Sequence, residues 1–187
     1  MVVRLDFEQT YLFNSRNKNW SKGSFFTVLR SEKKKLIGIE ISNTPQPHMD
    51  HVYNLAFGPY DRKKRLKDME SIKHADYSMA FSTILYFAKK YLDQSPDRAI
   101  GLDGSTNSRA YLYFRIIRQN YDYLSAQFEM YGVKYYVRVK RKGPELYENP
   151  FDFRDVEYSY HKLLKGELEN SRELDTMFNY FIFTKKK

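Results

Sequence analysis

The 187-residue chain contains no cysteine. Disulfides, thiolate nucleophiles and cysteine-ligated metals are therefore excluded. No apolar run approaches the roughly 18–20 residues that span a bilayer, so no transmembrane helix is expected. Residues 1–6 lack a basic stretch followed by an apolar core; no secretory leader is expected, and the expected compartment is the cytoplasm. Acid is scarce relative to base: 23 Asp and Glu stand against 32 Lys and Arg, a formal net charge of +9. Tryptophan occurs once.

What is abundant is the ring. Aromatic residues make up 17% of the chain, with 17 Tyr and 14 Phe. Cationic charge beside rings suits nucleic acid, because phosphates attract cations and bases stack on aromatic faces. The same composition also describes a soluble protein with a lysine-rich surface and a ring-filled core. A hydrophobic share of 42% with 29% charged residues is a globular balance, and the length fits one domain. Within residues 1–187 a compact centre is expected at about 24–142, with additions at 1–20 and 143–187.

Residues 5–13 alternate loosely as a strand, and 14–22 are polar and turn-like. Residues 24–30 and 35–41 read as two strands joined by the tight connector 31–34, a hairpin. Residues 51–57 give a further strand stopped by Gly58-Pro59. A charged connector over 60–73 carries Arg62-Lys63-Lys64-Arg65, read as a solvated loop. From Asp76 a helix is predicted with Tyr77, Ala80, Phe81, Ile84, Leu85, Phe87, Ala88, Tyr91 and Leu92 on one arc and Ser78, Ser82, Tyr86, Lys89 and Lys90 opposite. Residues 98–102 form a short strand and 107–121 a second helix. Residues 127–131, a turn at Gly132 and 133–142 read as another hairpin. The tail fits either a helix through Leu174, Met177, Phe178 and Phe181 or a closing strand at 179–184. The expected class is α+β: a mainly antiparallel sheet with two principal helices on one face and a C-terminal extension.

Several strings in this order resemble a family. They are Val52-Tyr53-Asn54-Leu55-Ala56-Phe57-Gly58; Gly104-Ser105-Thr106 with Arg109, Tyr113 and Arg115; and Phe128-Glu129-Met130-Tyr131-Gly132. The set resembles an uncharacterised bacterial domain-of-unknown-function family whose signature reads V-Y-N-L-x-F-G, then G-S-T-x-x-R-x-x-x-Y-R, then F-x-I-Y-G. The likeness covers about residues 24–142. This chain departs from it in the basic run 62–65 and in a longer C-terminal end. The resemblance implies a bacterial or phage origin and no particular activity.

The strand–turn–helix at 102–109 is the first candidate site. Gly104 permits a sharp turn, the first amides of the next helix favour an anion, and Ser105 and Thr106 supply hydroxyls. Arg109 would grip a phosphate or carboxylate, with Tyr113 one turn along the same surface. The competing reading makes Ser105 and Thr106 helix caps and pairs Arg109 with Asp103 or a neighbouring strand. A nucleotidyltransferase would need clustered carboxylates, and no Asp-x-Asp follows; the next strand offers only Glu129. His48-x-x-His51 with Asp50 lies in a proline-flanked loop without a partner motif, so no metal and no cofactor is expected.

The second candidate is residues 133–142, where period two puts Lys134, Tyr136, Arg138, Lys140 and Lys142 on one face. Val133, Tyr135, Val137 and Val139 take the other, expected to pack on the helices. The cationic face would track phosphates or simply stay solvated. The first functional expectation is a non-enzymatic binding or regulatory module. It would hold nucleic acid or another anionic ligand, in a bacterial or phage defence or toxin–antitoxin setting. Its alternatives are a metal-independent ribonuclease-like toxin using His74, Ser105, Arg109 and Tyr113, and a protein-interaction or inhibitor protein acting as a homo-oligomer.

Overall fold

The structure is a computed structural model, and it describes residues 2–46, 49, 51–63, 65–68, 70–104, 107–136, 157–170, 178 and 180–186. Eight strands appear: β1 (Phe13–Arg16), β2 (Lys22–Val28), β3 (Lys34–Ile41), β4 (Val52–Pro59), β5 (Ala99–Asp103), β6 (Phe128–Tyr136), β7 (Glu157–Lys162) and β8 (Tyr180–Lys185). They form one sheet in the order β1-β2-β3-β4-β5-β8-β6-β7. Every neighbouring pair is antiparallel except β4 and β5. A parallel pair needs a crossover, and helix α1 (Tyr77–Gln94) supplies it. Helix α2 (Asn107–Gln119) follows β5, then α3 (Tyr121–Ser125) and α4 (Lys165–Asn170). The class is α+β with a mainly antiparallel sheet.

Strand alternation sorts the apolar residues onto two faces. Phe25, Ile37, Ile39, Leu55, Ile100, Leu102, Met130, Phe181 and Phe183 share one cluster with the buried sides of α1 and α2. Val52, Ala99, Val133, Tyr180 and Ile182, with Met49, form a smaller cluster on the other face. Val133 therefore does not pack on the helices as expected; its parity is opposite to that of Phe128 and Met130, which do.

The arc predicted on α1 is buried from Ala80 to Leu92, and Asp76 caps its N-terminus by accepting from Met79 N at 2.9 Å. The opposite face differs from expectation. Ser82 is 1% exposed, because the N-terminal segment lies across it. Arg4 N and Asp6 N donate to Ser78 Oγ and Ser82 Oγ at 3.0 and 2.9 Å. The alternate amides turn the other way: Val3 N, Leu5 N and Phe7 N donate to Gln119 Oε1, Asn120 Oδ1 and Tyr123 OH at 3.3, 2.8 and 2.7 Å. Residues 3–7 are thus an extended strap whose amides are satisfied by side chains of α1, α2, α3 and the α2–α3 junction; no strand forms over 5–12, and the first strand, β1, falls at Phe13–Arg16, largely in the stretch read as a turn.

Further boundaries move for physical reasons. β4 continues through Gly58-Pro59, which pair with Gly38 and Ile37. β6 runs straight through Gly132 instead of turning. A Cβ there would lie 2.4 Å from Phe178 Cγ, so the glycine makes room for a ring within a strand. The tail closes as β8, inserted between β5 and β6. Val3, Leu5, Phe181 and Phe183 belong to the main core.

Candidate functional site

The parallel β4–α1–β5 unit sends both strands to the same end of the sheet. There α1 begins at Tyr77 and α2 at Asn107. Crevices outside the carboxyl ends of parallel strands are where open sheets receive ligands. A cavity of about 280 Å³ opens at this place. Phe57 of β4, Tyr77 and Phe81 of α1, and Leu112 of α2 give it apolar walls; His74, Ser108, Arg109 and Tyr113 give it polar ones. Three residues nominated from sequence as a set, His74, Arg109 and Tyr113, therefore share one cavity.

His74 sits where the returning connector bridges to Leu29, and its Nδ1 lies 2.9 Å from Thr27 Oγ1. It is buried, and burial pushes its pKa down to about 4. The Tyr77 ring packs edge-on against it. Arg109 donates from its guanidinium to the main-chain oxygen of Asp68, 41 residues away in sequence. Asp103, at the end of β5, is pushed up to about 6, chiefly by burial and further by the charge of Asp68, with Arg109 pulling the other way. Burial pushes the Tyr113 phenol up to about 12.

Tyr113 is 4% exposed, and its ring packs against Phe57 and Phe81 at the cavity wall. Gly104 is buried, and a Cβ on it would lie 2.6 Å from Ala110 Cα and 2.8 Å from Ala110 N. The glycine therefore lets strand and helix close tightly, a packing role that the sequence reading did not separate from an open anion corner. Ser105 and Thr106 lie outside the described residues.

The second candidate is only partly described. Lys134 and Tyr136 stand in β6 in register with Ser159 and Glu157 of β7. Arg138, Lys140 and Lys142 lie outside the described residues, as does His48. Among the described residues no group of three or more His, Cys, Asp or Glu is placed to hold a metal. No described helix is long and apolar enough to cross a membrane. Sequence reasoning missed Asp68 and underrated Asp103. Asp103 adjoined Gly104 and was readable as a neighbour; the return of Asp68 to this corner had no local signal.

An α+β domain with a small, mostly apolar cavity at the carboxyl ends of a parallel strand pair is the class of protein this geometry defines. The chain belongs to the family of unknown function DUF6934, whose model matches residues 8–151. No curated protein and no solved structure matches it.

Proposed function

We propose that the protein is a non-catalytic binding module whose ligand is a small molecule, apolar over most of its surface and polar along one edge, held between α1 and α2. The observation that carries this reading is the cavity itself, where the polar groups of His74, Ser108, Arg109 and Tyr113 converge on walls that are otherwise mostly apolar. A ligand acceptor at the wall would take a hydrogen bond from the Tyr113 hydroxyl. Mostly apolar walls with a few convergent polar groups are the usual make-up of small-molecule sites.

The charge around the cavity favours a neutral edge over a phosphate. Arg109 opposes the charge of Asp103 and donates to the Asp68 main-chain oxygen, so part of its charge is already answered. Catalysis by the nominated set is less well supported than binding. With a pKa near 4 and one nitrogen engaged by Thr27, His74 is a weak base, and it is not the imidazolium that a general acid needs near neutral pH. Arg138, Lys140 and Lys142 carry no part of this proposal.

A thermal-shift screen of planar heterocycles tests it, run on the wild type and on Leu112→Trp, in which the indole fills the cavity. Compounds that stabilise the wild type and leave Leu112→Trp unaffected support the reading. Compounds that stabilise both equally, or a screen without hits, would overturn it.

A further inference from the structure

A second and larger cleft, about 570 Å³, lies where the end of the N-terminal strap and β1 meet the C-terminal half of α1. Phe13, Trp20 and Tyr86 line it, with Arg16 and Lys90. The Trp20 and Tyr86 rings stand 6.2 Å apart at 85°, so they present two differently directed faces. Each carries a cation: the Arg16 guanidinium is 4.5 Å from the Trp20 centroid, and the Lys90 ammonium is 5.2 Å from that of Tyr86. Trp20 holds this place with a left-handed backbone, φ 54°. Conformations of that kind cost energy in a bulky residue and concentrate at functional positions.

The electrostatics point one way. Asp93 is the acid on the wall, and it is held by Lys89 at 2.9 Å and Lys185 at 3.4 Å. On the wall itself Arg16 and Lys90 stand against Asp93, which Lys89 and Lys185 already neutralise. Arg16 and Lys90 lie over the ring faces, and a base that stacks there would move them onto its flanking phosphates. A duplex buries its base faces in its own stack and cannot use the rings.

We propose that this cleft binds single-stranded nucleic acid, with a base stacked in the Trp20–Tyr86 corner and flanking phosphates on Arg16 and Lys90. The site is separate from the cavity at Tyr113 and does not rest on the reading given for it.

Trp20 is the chain's sole tryptophan, so its fluorescence reports this cleft alone. Titration with a twelve-nucleotide oligo(U) or oligo(dT) should quench it. With the two phosphates on Arg16 and Lys90 engaged, affinity should fall about seven-fold between 50 and 200 mM salt. Tyr86→Ala should weaken binding roughly ten-fold while Tyr86→Phe keeps it, because the stacking ring is what matters. The surface substitutions Arg16→Gln and Lys90→Gln, made together, should weaken binding and flatten the salt dependence. Absence of quenching at low salt would overturn the proposal. So would equal affinity for a duplex of the same length, for a mononucleotide, or for the Arg16→Gln/Lys90→Gln protein.

Discussion

Tyr113→Phe removes one oxygen from the cavity wall and nothing else. If that hydroxyl lacks a partner in the free protein, its loss leaves no other group unsatisfied. An unmet buried hydroxyl costs about 1–3 kcal/mol, so the variant should be more stable than the wild type by between zero and about 2 kcal/mol. The lower limit applies where cavity water solvates the oxygen. For a domain of this size 1 kcal/mol moves Tm by about 2–4 °C. Tyr121→Phe is the matched control: the Tyr121 hydroxyl donates to the Leu163 carbonyl at 3.0 Å, and its removal should destabilise by about 1 kcal/mol. Urea unfolding at pH 7 gives both numbers, with an unchanged slope certifying comparable states. A Tyr113→Phe protein less stable than wild type by more than about 1 kcal/mol would mean that the hydroxyl has a structural partner, and the ligand argument would lose its footing.

Other expectations concern the frame of the site. His74 has a folded pKa near 4 against an ordinary value of 6.5, so the unfolded chain binds its proton more readily and stability falls as pH drops through that range. Asp103, raised to about 6 from 3.8, does the reverse: it favours the folded state at low pH and loses that contribution as pH rises through 6. The two slopes oppose each other between pH 4 and 6. Asp103→Asn should therefore expose the histidine, with stability falling by roughly 3 kcal/mol from pH 6.5 to 4 in denaturant titrations; a level profile in that variant would refute the balance. Asn120→Ala removes the acceptor for Leu5 N and the donor to the Val3 and Ile116 carbonyls, and should cost about 2–4 kcal/mol and speed amide exchange at Leu5. Gly101→Ala would bring a methyl to 1.7 Å from the Tyr180 hydroxyl oxygen, and should destabilise by about 3 kcal/mol or more on thermal unfolding.

How far the sequence revealed these features depended on range. The buried arc of α1, the β2–β3 hairpin and the pairing of Arg109 with Tyr113 on one surface of α2 rest on spacing within one element, and all were legible. Ser82 was misplaced because polarity suggested solvent, while its real neighbour is the Asp6 amide, 76 residues away. Gly132 read as a turn because a glycine has no side chain to declare whether it bends the chain or admits a ring; Phe178 decided the matter. At the site, His74 and Arg109 were named for their chemistry, but their meeting depends on the connector folding back to bridge Leu29 and bring Asp68 beside α2. Pairings of that range leave no periodic trace. The same limit hid the cleft at Trp20, whose rings come from β1, the β1–β2 turn and α1.

The most direct test is isothermal titration of the strongest hit from the heterocycle screen against wild type and Tyr113→Phe. A ligand that accepts from the phenol should bind the Phe variant about ten-fold more weakly, the loss of one buried hydrogen bond. Equal affinity for the two proteins would contradict the claim that the Tyr113 hydroxyl donates to a ligand.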